Sequence, residues 1–212
     1  MDFASTIQKI LILTPPILFA VTIHEMAHGW VAYRLGDPTA KLAGRLTLNP
    51  LKHLDPVGTF VFFVTQAIGW AKPVPVNPYN FANPRQGMMW VSLAGPGANL
   101  LVAAISAFFL RTFWGTAHAI GPAGHFFAVP LTAMAYISVQ INVGLAIFNL
   151  LPIPPLDGSK VLAALLPDSM LGWYHQIERY GFFIILLLVF TGVTGRIIVP
   201  LIFSINRFLL GT

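Results

Sequence analysis

Val21-Thr22-Ile23-His24-Glu25-Met26-Ala27-His28-Gly29 lies in the last third of an apolar run from Ile7 to Tyr33. That run exceeds the roughly 20 apolar residues a helix needs to cross a bilayer, so it predicts a membrane helix. It is also too long for the core of a signal peptide and is read as a retained span. A helix puts residues i and i+4 on one face, so His24 and His28 can hold one metal ion together. Glu25 stands beside them and can take a proton from water activated at that ion. Two imidazoles and a carboxylate are costly in hydrocarbon, and such groups mark function. The pattern points to hydrolysis carried out within the membrane.

Composition agrees with a membrane chain. Of 212 residues, 56% are hydrophobic and 9% charged, against about 25% charged in soluble domains. The expectation is an all-α polytopic fold forming one membrane domain over 1–212, with a catalytic core at about 7–165 and a C-terminal membrane segment at about 177–212. The net charge of +5 comes from scattered Lys and Arg. No basic cluster interleaves with aromatics, which argues against nucleic acid as a partner. With no cysteine, a metal site must use nitrogen and oxygen donors.

About four spanning helices are predicted. After Ile7–Tyr33 come Gly87–Leu110, Pro130–Leu151 and a last span from Tyr180 onward, which Gly192, Gly195 and Arg196 make either one helix plus an interfacial tail or a hairpin. Arg111–Val129 reads as a loop. Val57–Trp70 is apolar but too short to span, so it is expected to be re-entrant or interfacial. Residues 42–49 partly alternate like a strand. The prolines of Lys72-Pro73-Val74-Pro75-Val76-Asn77 forbid a helix but allow an edge strand. Trp173, Tyr174 and Tyr180 read as an interfacial aromatic belt. His53, His118, His125 and His175 read as interface residues rather than ligands.

A catalytic zinc ion takes three protein ligands and keeps one position open. Asp157 is the best-placed third donor, because it directly follows the proline-broken end of a span. The competing reading is that it only caps the helix that follows. For Asp157 to share a depth with His24 and His28, their two spans must run in the same direction. One full crossing must then separate them, which Gly87–Leu110 supplies. Residues 50 and 80 are therefore predicted on the same side of the membrane, and accessibility tagging that places them on opposite sides would refute this topology. Lys and Arg gather near the Arg34–Gly87 and Asp157–Tyr180 segments, which makes the metal-proximal side cytoplasmic.

His24-Glu25-x-x-His28, Ala94-Gly95-Pro96-x-Ala98-Asn99 and Asn149-Leu150-x-Pro152-x-Pro154-Pro155-Leu156-Asp157-Gly158 together resemble the site-2 protease family of intramembrane zinc metalloproteases. The likeness covers roughly residues 10–165. It is to the short prokaryotic form, without a PDZ-like insertion or a nucleotide-sensing domain. The resemblance implies one Zn2+ held by His24, His28 and Asp157, with Glu25 as catalytic base and Asn149 as oxyanion donor. It implies a multi-pass protein of a prokaryotic cell membrane that cleaves transmembrane segments of other proteins, as in regulated intramembrane proteolysis or signal-peptide clearance. It further implies that the segments at 42–49 and 72–77 form a small membrane-dipping β element whose edge, at Val74 and Val76, holds an extended substrate, the alternative being a polar loop with prolines. Asn99 and Asn142 are candidates for lining the substrate path, against a simple helix-joining role. The alternative from another class is a non-proteolytic zinc-binding membrane protein, for transport or structure. Transport favours several ligand sets, and this chain offers one. No oligomeric state follows from the sequence.

Overall fold

The computed structural model describes residues 3–65, 69–117 and 121–211. Among them are nine α-helices: α1 (Phe3–Arg34), α2 (Thr39–Leu42), α3 (Pro56–Thr65), α4 (Pro84–Ala117), α5 (Gly121–Asn149), α6 (Asp157–Leu165), α7 (Asp168–Glu178), α8 (Gly181–Phe190) and α9 (Val193–Leu210). Four stretches are long and apolar enough to cross a membrane: Ile7–Arg34, Pro84–Phe113, Phe126–Asn149 and Val193–Leu210. Between 11% and 39% of their apolar windows is buried inside the protein. Most of that apolar surface is left for lipid, as a membrane protein requires.

The expected spans hold, but their ends move. Pro130 reads as a boundary in sequence, yet it lies inside α5, and Pro96 lies inside α4. Neighbouring groups in a membrane bundle re-satisfy the carbonyl that a proline orphans. The expected loop at Arg111–Val129 therefore shrinks to the junction of α4 and α5. His118 falls outside the described residues. The expected last span divides at Gly192, whose φ of +71° suits a residue without a side chain. Its first part, α8, has 10 residues; the spanning part is the 18-residue α9. With 10 residues, α3 is also too short to cross, and positions 66–68 of the apolar Val57–Trp70 stretch lie outside the described residues.

The strand expected at 42–49 does not form. Leu42 ends α2, Gly44 turns the chain with φ +65°, and Asn49 opens a 3-10 turn at Pro50–Lys52. Among the described residues there is no strand, only a single antiparallel bridge between Leu54 and Ala71. Residues 72–77 run without helix, turn or ladder partner.

The chain divides into two compact units. The first comprises residues 1–20, 99–148 and 188–212. Its buried face is built from small residues such as Ala20, Ala103, Ala107 and Ala146, which let helix backbones approach closely. Polar side chains join the helices. Asn99 Nδ2 donates to Asn142 Oδ1 (2.7 Å) and to the Ala20 carbonyl (3.1 Å), and Asn142 Nδ2 donates to the Ser138 carbonyl (2.8 Å). Ser138 in turn bonds Ser106 at 2.9 Å. Such bonds contribute about 0.6 kcal/mol each on average between membrane helices.

The second unit comprises residues 21–98 and 149–187 and contains both the histidine motif and Asp157. Ala32, Phe81 and Val91 form a buried cluster against which Val31, Val76 and Met88 pack. Two helix ends in this unit share one capping pattern. After α1, Gly36 N–H donates to Tyr33 O and Asp37 N–H to Ala32 O. After α2, Gly44 N–H donates to Lys41 O and Arg45 N–H to Ala40 O. These are Schellman caps, and both glycines have positive φ. Each cap delivers a charged residue, Asp37 or Arg45, into a buried position. Tyr174, expected in the aromatic belt, is instead buried, and its hydroxyl donates to the Ser159 carbonyl at 2.7 Å. Trp173 and Tyr180 are exposed.

Candidate metal centre

One turn of α1 sets His24 and His28 side by side, with their ring centroids 4.6 Å apart and nearly perpendicular. Their Nε2 atoms are 3.0 Å apart. Asp157 Oδ2 lies 3.2 Å from each. All three side chains are buried, and they are the one group of metal-capable donors found among the described residues.

Three elements build this arrangement. The first is α1, whose period aligns the two imidazoles. The second is α4, which approaches them closely. His28 Nδ1 donates to the Val91 carbonyl at 2.7 Å, so its proton sits on Nδ1 and the Nε2 lone pair faces the other two donors. One turn later comes Gly95. A Cβ there would fall 2.5 Å from His28 Nε2 and 2.6 Å from His24 Cε1. Only glycine lets α4 pass at this distance. The third element is the start of α6. The proline-rich break at Pro152–Pro155 ends in Leu156, and Asp157 is the first helical residue. Gly158 is packed so tightly that a Cβ would meet the Leu150 carbonyl at 2.1 Å.

The capping explanation for Asp157 does not hold. Leu156 occupies the N-cap, and no side-chain cap bond is made. The Asp157 carboxylate points instead at the two imidazoles, favoured by its place at a helix N-terminus. Lys160 Nζ stands 3.9 Å from the other oxygen, Oδ1.

The donor set fits zinc. Asp157 Oδ2 is buried with no hydrogen-bond partner, a costly state for a carboxylate oxygen unless it ligates something. Tetrahedral zinc with bonds of about 2.0–2.2 Å needs donors roughly 3.3 Å apart. The three separations of 3.0, 3.2 and 3.2 Å lie close to that. Two nitrogens and one oxygen are the hard-to-borderline donors that a cysteine-free chain can offer.

Glu25 does not join this triangle. Its Oε2 accepts the Val74 N–H at 3.1 Å. Asn149 is the half-buried last residue of α5. Val76 packs its side chain in the Ala32–Phe81–Val91 cluster. Asn99 and Asn142 belong to the first unit, where their amides bond one another. His53, expected at an interface, is fully buried, with its Nε2 at 2.9 Å from the Thr47 carbonyl. The side chains of His125 and His175 lie outside what is described. Gly95 stands in the second motif with no role legible from the sequence, and Val91 contributes only a backbone carbonyl, which leaves no signal there.

The profile named Peptidase family M50 matches residues 115–191, a stretch that includes Asp157. The chain is 42% identical over 187 residues to the protein named "Putative zinc metalloprotease YwhC" of Bacillus subtilis (strain 168), covering 88% of this chain and 83% of that protein. This chain belongs to peptidase family M50. A second relative, "Putative zinc metalloprotease Rip2" of Mycolicibacterium smegmatis, is 32% identical, with 84% of this chain and 66% of that protein covered. The Rip2 of Mycobacterium tuberculosis strain H37Rv is 31% identical over 68% of this chain and 53% of its own length. No solved structure is significantly similar. With four candidate spans and this family membership, the protein is a multi-pass integral membrane peptidase.

Proposed function

We propose that this protein is an intramembrane zinc endopeptidase that hydrolyses peptide bonds within or near transmembrane segments of other membrane proteins. The observation that carries the reading is the buried triangle of His24, His28 and Asp157, in which one carboxylate oxygen lacks any hydrogen-bond partner. His24, His28 and Asp157 are the residues that would hold the ion. When bound, zinc supplies Lewis acidity toward a carbonyl oxygen and makes water acidic enough to be deprotonated near neutral pH.

The remaining roles belong to the chain. Glu25, next in sequence to the first ligand, takes the proton of the attacking water and passes it to the leaving amine. Asn149 donates to the oxyanion as charge develops on it. His28 is oriented by the Val91 carbonyl, the outer-shell partner a zinc histidine requires. The substrate presents an unwound stretch, because a helical peptide hides its carbonyls in its own hydrogen bonds. The Lys and Arg flanking the metal-proximal ends make the cytoplasmic side of a prokaryotic membrane the side of attack. Transport would require further ligand sets along a path, and the described residues form one.

The test is metal removal. Protein reconstituted in liposomes with a transmembrane reporter is expected to lose cleavage after chelation and to regain it with one equivalent of Zn2+. A metal-free preparation that cleaves as fast as the loaded one would end this reading.

A further inference from the structure

We propose that Arg45 is a positioning residue of the hydrolytic site, acting through the backbone of Lys72–Val74 on Glu25; this rests on the reading of Glu25 as the base.

Residues 72–77 lie as a strap fastened by charged side chains near both ends. Arg45 donates from Nη1 to the Pro73 carbonyl (3.2 Å) and from Nη2 to the Lys72 carbonyl (2.5 Å). At the far end Asp37 Oδ2 accepts the Asn77 N–H at 2.7 Å. Proline has no N–H, so within Pro73-Val74-Pro75 only Val74 can donate. That single donor is spent on Glu25.

Neighbouring contacts fix the same geometry. Glu25 and Gly29 are one turn apart and share a helix face. A Cβ at Gly29 would meet Leu46 Cδ2 at 2.8 Å and Val74 Cγ1 at 3.2 Å. The strap therefore lies directly on the face that carries the carboxylate. A hydrogen bond from a fixed amide holds one carboxylate oxygen and leaves the other to face water.

Arg45 is costly where it stands. It is 6% exposed, its Nε has no partner, and no carboxylate among the described residues pairs with it. A buried guanidinium unpaired by an acid is retained for what it orients. Here it grips the two carbonyls immediately before the Val74 amide. The Gly44 cap aims it there, and burial on the Schellman turn prevents it from straying.

The experiment uses full-length, zinc-loaded protein in liposomes and measures kcat, KM and zinc content. Val74→Ala keeps the N–H and loses the side chain, whereas Val74→Pro loses both. From the first to the second, kcat is expected to fall about tenfold to a hundredfold, as for one hydrogen bond to a charged group, with KM and zinc unchanged. Arg45→Ala should show the same kcat loss, with partial recovery in Arg45→Lys, whose ammonium can reach one carbonyl. Equal kcat in Val74→Pro and Val74→Ala overturns the proposal, as does an Arg45→Ala loss that falls on KM or zinc content alone. If Arg45→Ala does not fold, the Val74 pair decides. A Glu25→Gln variant run alongside separates the failures. Activity in Glu25→Gln defeats the reading of the base itself; an inactive Glu25→Gln with equal Val74 variants defeats only the role of Arg45.

Discussion

Glu25→Gln is expected to abolish cleavage of a transmembrane reporter while leaving the bound zinc in place. The substitution preserves size and one carbonyl oxygen, so the Val74 N–H keeps an acceptor and the strap stays seated. It leaves untouched the three candidate donor atoms, which belong to His24, His28 and Asp157. What it removes is a group that can take a proton from water and return it to nitrogen. Positioned acid–base catalysis of that kind contributes about 10²–10⁴-fold, and the loss should be of that order. It should appear in kcat, because substrate binding does not depend on proton transfer. Zinc stoichiometry by metal analysis and single-turnover cleavage in liposomes measure the two halves separately. Wild-type turnover in the variant would remove Glu25 from the mechanism.

Gly95→Ala is expected to disrupt metal binding from a position that donates no ligand. The added methyl would fall 2.5–2.6 Å from the His24 and His28 rings, inside the distance any carbon tolerates. Either α4 withdraws or the imidazoles rotate. Withdrawal stretches the 2.7 Å bond between His28 Nδ1 and the Val91 carbonyl, which lies on the same helix. Rotation moves the Nε2 atoms out of the triangle. Overpacking costs about 1–3 kcal/mol. Disturbing a ligand's supporting partner typically costs about 10–100-fold in metal affinity. Gly97→Ala is the matched control: it makes the same chemical change two residues away, where a Cβ meets nothing within 4 Å. Competition with a chelator should therefore strip zinc from Gly95→Ala at concentrations that leave Gly97→Ala loaded. Equal zinc affinity in the two variants would show that the close approach of α4 is not what shapes the site.

Much of the site was legible in the sequence for one physical reason: the helix period is fixed. Once Ile7–Tyr33 is a helix, His24 and His28 must share a face, and no tertiary contact can change that. The spans were legible because hydrocarbon demands long apolar runs. Their ends were not, because Pro130 is a boundary in water but an ordinary interior residue in a packed membrane helix. The strand expected at 42–49 failed because Gly44 and Asn49 impose turns that an alternating pattern does not reveal. His53 looked like an interface residue because nothing in a single sequence tells a buried imidazole from an exposed one.

Asp157 lies between these cases. Its place after a broken span made it a candidate third donor, but a helix-capping role fitted the same position. The three-dimensional structure argues against the cap and supports the donor role, since the carboxylate meets both imidazoles at 3.2 Å and makes no side-chain cap bond. The sequence by itself determined the membrane class, the paired histidines and the carboxylate beside them, because composition and helical periodicity are local properties of the chain. Only the tertiary structure decided which carboxylate stands beside the two histidines, the glycine that admits α4, and the strap that Arg45 and Asp37 hold against Glu25. Each of those joins residues far apart in sequence through backbone carbonyls, amides and close approaches, and such contacts leave no periodic trace along the chain.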